Sequence, residues 1–209
     1  MSALPVSEPE LLMTEAEYLA FEEAADTKHE FVDGHVYDWP GYDFDAQGLA
    51  GATRAHTRLQ RRLLQALGPP ADAAGCEVFG SDMRLLVRLR RRGRQTRRYY
   101  YPDAMVLCDQ ELREDEGDDE LHVTRPCVIV EILSQRSVRV DQTEKLEIYQ
   151  GLPSVRAYLV VHQRQQRVER HWRDAHGTWQ VETLTSGSVP IPCIGFDLPL
   201  EAIYAGVVR

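Results

Sequence analysis

Tyr99-Tyr100-Tyr101-Pro102-Asp103-Ala104-Met105-Val106-Leu107-Cys108 and, after an acidic interval, Pro126-Cys127-Val128-Ile129-Val130-Glu131-Ile132-Leu133 are near-continuous apolar runs. Their length and their β-branched and aromatic content predict two strands covered on both faces, in the middle of a sheet. Each carries one carboxylate where an apolar side chain is expected. If the strands pair antiparallel with Leu107 across from Cys127, Asp103 falls across from Glu131, and opposed residues share a face with Cβ atoms roughly 5 Å apart. An ionised carboxylate in such a core costs several kcal/mol unless it is paired or coordinated, and two together also repel. A hard cation removes both penalties, and Mg²⁺ commonly takes one or two protein carboxylates plus water and phosphate oxygens. The plainer alternative has Asp103 capping a strand end after Pro102 and Glu131 paired with an arginine.

The chain of 209 residues is long enough for one substantial core and nothing divides it, so one domain over 13–209 is expected behind a tail at 1–12. Hydrophobic residues make up 43% and charged residues 27%, the balance of an ordinary globular protein. A net charge of −9 argues against a general nucleic-acid coat protein, whose affinity rests on neutralising phosphates. The charge is uneven: acids crowd 8–30 and 111–120, while seven arginines fall within 88–98, so a local basic face is compatible with the acidic total. Cys76, Cys108, Cys127 and Cys193 show no Cys-x-x-Cys or Cys/His spacing. They read as small core hydrophobes in a reducing compartment, in preference to a zinc site or disulfides. The N-terminus has acids and no apolar leader core, and no run approaches the roughly 18 residues of a membrane span. A cytoplasmic protein with no membrane partner is expected.

Thr14 with Glu17 forms a capping box that opens a helix to about Ala25. His29 to Val32, the Asp33-Gly34 turn and His35 to Trp39 read as a hairpin, with Glu30 an exposed strand acid on these residues alone. A loop at 40–51 precedes a helix over 53–67, ended by Gly68-Pro69-Pro70. Leu59, Leu63 and Leu67 form its apolar stripe and His56 extends it by one turn, either as a satisfied core histidine or as a group near the chemistry. Alternation over 77–90 predicts one half-exposed strand, with Met83, Leu85, Val87 and Leu89 inward, leading through an arginine-rich turn at Gly93 to the Tyr99 strand. A second capping box, Asp141 with Glu144, opens a helix ending at Gly151, on which Asp141, Lys145 and Tyr149 stand one above another. Lys145 is either a surface partner of Asp141 or points back at the two acids. Short strands follow at 156–161, 167–172 and 178–184, with Trp172 and Trp179 stacking across a hairpin, and a terminal segment lies at 200–204. There is no internal repeat, phosphate-binding glycine loop, Gly-x-Ser-x-Gly elbow or His-Glu-x-x-His motif.

Taken together, Met13-Thr14 with Glu17-Tyr18-Leu19, His29-Glu30 before Asp33-Gly34, His56, Ser81-Asp82-Met83-Arg84, Tyr101-Pro102-Asp103, Val130-Glu131-Ile132-Leu133-Ser134, Asp141 with Lys145 and Tyr149, and Ile203-Tyr204 resemble the Uma-type endonuclease family, within the PD-(D/E)XK nuclease superfamily. The resemblance spans 13–207. It implies a restriction-endonuclease-like α/β fold, a mixed central sheet flanked by helices with extra hairpins. It further implies a Mg²⁺-dependent hydrolysis of DNA phosphodiester bonds, with Mn²⁺ as a substitute ion. Asp103, Glu131 and the backbone carbonyl of Ile132 would hold the metal, Lys145 would orient water or balance charge, Glu30 becomes a third acid and His56 a site residue. The superfamily's usual lysine position, two after the acid, is Leu133 here, and Lys145 on the next helix takes its place. Gln135-Arg136 stand where relatives usually read Pro-Ser. The alternative function is a catalytically inactive binding or regulatory module on the same fold, and a homodimer is suggested only by analogy with enzymes that cut both strands.

Overall fold

The computed structural model describes residues 11–38, 53–91, 94–108, 121–133 and 141–207. Along the chain come β1 (Leu11–Leu12), α1 (Glu15–Ala24), β2 (His29–Val32), β3 (His35–Asp38) and α2 (Arg54–Ala73). Then follow β4 (Glu77–Gly80), β5 (Arg84–Arg91), β6 (Arg94–Tyr100), β7 (Ala104–Leu107), β8 (His122–Val123), β9 (Val128–Leu133) and α3 (Asp141–Gln150). The last part is β10 (Ala157–His162), β11 (Val168–Arg173), β12 (Trp179–Leu184), β13 (Ser188–Ile191), a 3₁₀ turn (Pro192–Ile194), β14 (Phe196–Pro199) and α4 (Leu200–Tyr204).

Two six-stranded sheets, β1-β3-β2-β6-β5-β8 and β12-β11-β10-β9-β7-β4, hold most of the strands, and β13 pairs with β14 apart from them. β5–β8 and β9–β10 run parallel, and the connection between β9 and β10 contains α3, as a parallel crossover requires. The mixed α/β class expected from the sequence holds, with its strands divided between two sheets. The division arises in the apolar run at 99–108, which is two strands where one was expected: β6 belongs to the first sheet and β7 to the second. Pro102 lies at the break; it has no N–H for a ladder and a fixed φ, so pairing stops there. The run at 77–90 divides too, β4 joining the second sheet and β5 the first. The face of β5 expected to meet solvent is covered at its start, because Leu86 packs with Tyr18 of α1 and with Phe31, Val36 and Tyr99.

β7 and β9 are interior strands, paired antiparallel with Ala104 across from Val130 and Val106 across from Val128. One further step in that register sets Asp103 across from Glu131, the alignment read from the sequence. Alternate residues of this pair enter different layers. Ala104, Val106, Val128 and Val130 pack under Leu59, Leu63, Leu67 and Ala71 of α2. Met105, Leu107 and Ile129 pack with Ile148 and Tyr149 of α3 and with Leu85 and Val87 of β5. The chain is thus covered on both faces where the acids sit.

Local signals explain several elements. Thr14 and Glu17 form the expected capping box, and Asp33 (φ 50°) with Gly34 (φ 96°) makes the two-residue hairpin turn, both residues left-handed as a type I′ turn needs. α2 corrects the reading that Gly68-Pro69-Pro70 ends it: the helix continues to Ala73. The two prolines forfeit helix hydrogen bonds, but Gly68 has no Cβ to clash with the ring that follows, and Leu67 and Ala71 are fully buried in one core. Tertiary burial therefore overrides the local stop signal. Trp172 faces Gln180, and Trp179 faces Arg173, so the tryptophans lie on opposite faces of their hairpin. Instead of stacking on each other, they stack on Arg170 and Arg173. The segment at 200–204 forms the short helix α4.

The cysteines also depart from expectation. They pair as Cys76–Cys108 and Cys127–Cys193, with sequence separations of 32 and 66. Among the described residues none is free. Extending the β4–β7 register by one step places Cys76 across from Cys108, and the 3₁₀ turn brings Cys193 to Cys127. Such meetings come from topology and leave no local spacing to read. The loop at 40–51, the turn at Gly93, the acidic segment at 111–120, Ser134 to Ser137 and the side chain of Asp141 lie outside the described residues. Among the described residues no helix is long and apolar enough to cross a membrane.

Candidate active site

Where the chain passes from the first sheet to the second, β2, β7, β9, α2 and α3 bring their polar side chains to one place. Glu30 on β2 is 2% exposed, against its reading as a surface acid. Its Oε1 accepts from the Tyr101 amide at 3.2 Å and from Lys145 Nζ at 2.9 Å. β2 is held there by α1, whose Tyr18 hydroxyl donates to the His29 carbonyl at 2.8 Å, while Glu22 accepts from the Tyr101 hydroxyl at 2.6 Å.

Asp103, 3% exposed, accepts twice: Oδ1 from His56 Nε2 and Oδ2 from the Ile132 amide, both at 2.7 Å. The imidazole tautomer that fits this contact carries its proton on Nε2. The His56 backbone N–H donates to the Thr53 N-cap hydroxyl at 3.1 Å, so the cap that starts α2 also fixes the histidine. One turn further on, Gln60 Nε2 donates to the Asp103 carbonyl at 3.1 Å and to Ser81 Oγ at 2.7 Å.

Glu131 faces the α3 layer. Its Oε1 accepts from the Tyr149 hydroxyl at 2.9 Å and lies 3.4 Å from Lys145 Nζ, which thereby bridges Glu30 and Glu131. Lys145 and Tyr149 act together because four residues make about one helical turn. Burial raises the Glu131 carboxyl most; Lys145 opposes this, Asp103 and Glu30 add to it, and the Tyr149 hydrogen bond opposes it, leaving the group pushed up to about 8. Burial and the neighbouring Glu131 hold the Tyr149 hydroxyl well above its ordinary value, so it stays a proton donor in this bond.

The side chains proposed from sequence fall into two adjoining groups, His56 with Asp103 and Lys145 with Glu30 and Glu131, and the charge of Asp103 is felt at Glu131. Among the described residues Glu131 is not paired to an arginine, against its plainer reading, while Asp103, at the head of β7, does cap a backbone amide, that of Ile132, and also bonds His56. The buried Arg98 is used elsewhere, spanning Asp33 of the β2–β3 turn and Glu144 beside Lys145. Leu133 is buried in the apolar layer, so the lysine of this site does come from α3. Among the described residues, the three acids do not bring ligand oxygens within 4.8 Å of one another; Lys145 stands between Glu30 and Glu131, and Asp103 is held by His56 and the Ile132 amide. Ile132 contributes its amide to Asp103, and a strand residue's carbonyl leaves on the same edge as its amide.

Sequence reasoning missed Gln60, Gln163, the Tyr101 amide and Arg98. Gln60 had a signal, standing four residues from His56 on the same helical face. Gln163, which approaches His56 Nδ1 at 3.4 Å and accepts from Thr53 Oγ1 at 2.8 Å, had none, because it reaches the site only through the β9–β10 pairing. Chemically, a buried set of oxygen acceptors beside one ammonium and one imidazole suits a hard cation and an ordered water.

The Uma2 family, described as "Putative restriction endonuclease", matches residues 15–201. Two uncharacterised proteins of Synechocystis sp. (strain ATCC 27184 / PCC 6803 / Kazusa) are similar. One, sll1609, is 30% identical over 180 residues, covering 86% of this chain and 92% of its own. The other, slr1290, is 26% identical over 208 residues and 99% of both chains. A solved structure from Anabaena variabilis ATCC 29413, described as "a putative nuclease belonging to DUF820", has the same fold, with a TM-score of 0.68 at 14% identity over 93% of this chain and 99% of that one.

Proposed function

We propose that this chain, which belongs to the Uma2 family, is a nuclease that hydrolyses DNA phosphodiester bonds with Mg²⁺ at the Asp103–Glu131 pair. The observation that carries the proposal is the pairing of these two carboxylates on adjacent interior strands, with Glu131 pushed up to about 8, a group that a hard cation would return to its ionised form. Asp103, Glu131 and the Ile132 carbonyl would hold the ion, and their hard oxygen donors suit Mg²⁺, with Mn²⁺ able to replace it. Bound there, the ion would offset charge on the phosphate and lower the pKa of a nearby water.

The chain's own residues have separable tasks. His56 and the Ile132 amide fix the Asp103 carboxylate, and Gln60 fixes its backbone. Tyr149 orients Glu131. Lys145 sits between Glu30 and Glu131, so its ammonium can balance phosphate charge or orient the attacking water, and Glu30 holds that ammonium in place. With one centre per chain, cutting both strands would take two copies, so a homodimer on DNA is part of the proposal.

The test is nicking of supercoiled plasmid with Mg²⁺ or Mn²⁺. Asp103→Asn and Glu131→Gln should each lower the rate by more than ~100-fold, beyond the usual range for residues that only support a metal ligand. Equal cutting by either variant and wild type would sink the assignment. A second reading, a non-catalytic binding module, draws on the lysine that already neutralises two of the acids. It predicts no nicking, and no calorimetric Mg²⁺ binding that Glu131→Ala removes.

A further inference from the structure

A second cluster lies at the other end of the β7–β9 pair. Asp103 precedes β7 and Cys108 follows it; Glu131 lies late in β9 and Cys127 immediately precedes it. Cys76 immediately precedes β4 and Cys193 comes from the 3₁₀ turn, so separate parts of the chain bring these cysteines together. The Sγ atoms of Cys108, Cys127 and Cys193 all lie within 4.8 Å of one another. Cys76 Sγ is bonded to Cys108, and the two disulfides touch, Cys108 Sγ standing 3.4 Å from Cys127 Sγ. Two disulfides that merely staple a fold have no reason to meet. Three sulfurs within 4.8 Å of one another, with a fourth bonded to one of them, supply the donors that a single soft tetrahedral ion requires.

We infer that the four cysteines form one tetrathiolate site that binds a single Zn²⁺ in the reduced protein. With Zn–S bonds of ~2.3 Å, the sulfurs of a tetrahedral site stand ~3.8 Å apart, close to the separation already present between Cys108 and Cys127. The strands that carry three of the ligands are in place. Cys76 and Cys108 face each other across β4 and β7 with Cα atoms 4.2 Å apart, and Cys127 stands beside them on the neighbouring strand. A single ion fits better than a multi-iron cluster, whose thiolates must spread over several metal atoms. The conversion balances. Two equivalents of a dithiol give four electrons and four protons to the two S–S bonds, leaving four thiols and two oxidised dithiols. Zn²⁺ then displaces the four thiol protons as four Zn–S bonds form. In a reducing compartment the thiol form is the one that persists. The ion would tie β4, β7, β9 and the C-terminal turn together at the end opposite the acids.

The test uses the full chain purified under a dithiol without chelator. Elemental analysis should find about one Zn²⁺ per wild-type chain, falling at least ~10-fold in Cys108→Ser and in Cys193→Ser. Because either variant could fail to fold, wild type loaded with Co²⁺ gives an independent readout: the intense visible bands of tetrahedral cobalt thiolate. Zinc-loaded wild type should also alkylate at all four cysteines at least ~10-fold more slowly than the chelator-treated protein. The inference is overturned if the reduced, folded wild type takes up neither ion, if cobalt binds without thiolate bands, or if the purified chain carries several iron atoms.

Discussion

In the metal-free protein, replacing Glu131 with glutamine should raise stability, by an amount that grows with pH. The Glu131 side chain is 13% exposed, and burial, then Asp103 and Glu30, outweigh Lys145 and Tyr149 to push its pKa from 4.5 to about 8. The folded protein therefore holds a proton on Glu131 that the unfolded chain releases between those two values. The stability this proton contributes is fully present below about pH 4.5 and is lost as pH rises through about 8. At 1.36 kcal/mol per pH unit, the interval is worth at most ~5 kcal/mol; water entering the open end of the site reduces it, and ~2–3 kcal/mol is expected. Glutamine keeps an acceptor for the Tyr149 hydroxyl and does not titrate. Urea unfolding with a chelator, at about pH 5 and about pH 8.5, should show the variant gaining ~2–3 kcal/mol on wild type between the two conditions. Added Mg²⁺ should then narrow the gap by stabilising wild type alone, by ~2.7 kcal/mol at a hundred times its Kd. Equal gaps at the two pH values, or a variant less stable at the higher one, would refute the reasoning.

Lys145→Met removes the cation that Glu30 and Glu131 share, so Mg²⁺-dependent cutting should fall by ~100-fold or more and the acid limb of the pH–rate profile should move to higher pH, with Lys145→Arg restoring part of the rate. Arg98→Met breaks the tie between Asp33 and Glu144, whose own side chains are 39% and 48% exposed; a loss of about 1–3 kcal/mol is expected in urea melts, with a lower cutting rate because α3 carries Lys145. Leu63→Ala opens a cavity between α2 and the second sheet and should cost about 2–5 kcal/mol, while the rate per folded molecule stays near that of wild type.

The two acids were legible because their signal is a conflict between neighbours. A carboxylate inside a run such as Val128-Ile129-Val130-Glu131-Ile132 is costly wherever the run is buried, and antiparallel register then fixes which acid it meets. Lys145 and Tyr149 were legible through helical spacing, and the Asp33-Gly34 turn through its backbone demand. What stayed hidden depends on long-range meetings. The extension of α2 through Pro69 and Pro70 and the meeting of the cysteines are each decided by packing against distant residues. Glu30 shows both sides of this. Nothing in His29-Glu30-Phe31-Val32 alone separates a surface acid from a buried one; the family resemblance raised it, and the structure buries it on the face of β2 away from α1, against the Tyr101 amide and Lys145 of α3.

The most direct test of the central claim is a crystal of the wild-type chain soaked in Mn²⁺ and measured for anomalous scattering. The account predicts a manganese peak bound by carboxylate oxygens of both Asp103 and Glu131, absent from Glu131→Gln crystals treated in the same way. Well-ordered Asp103 and Glu131 side chains with no such peak between them, or manganese held elsewhere while Lys145 keeps both Glu30 and Glu131, would contradict it.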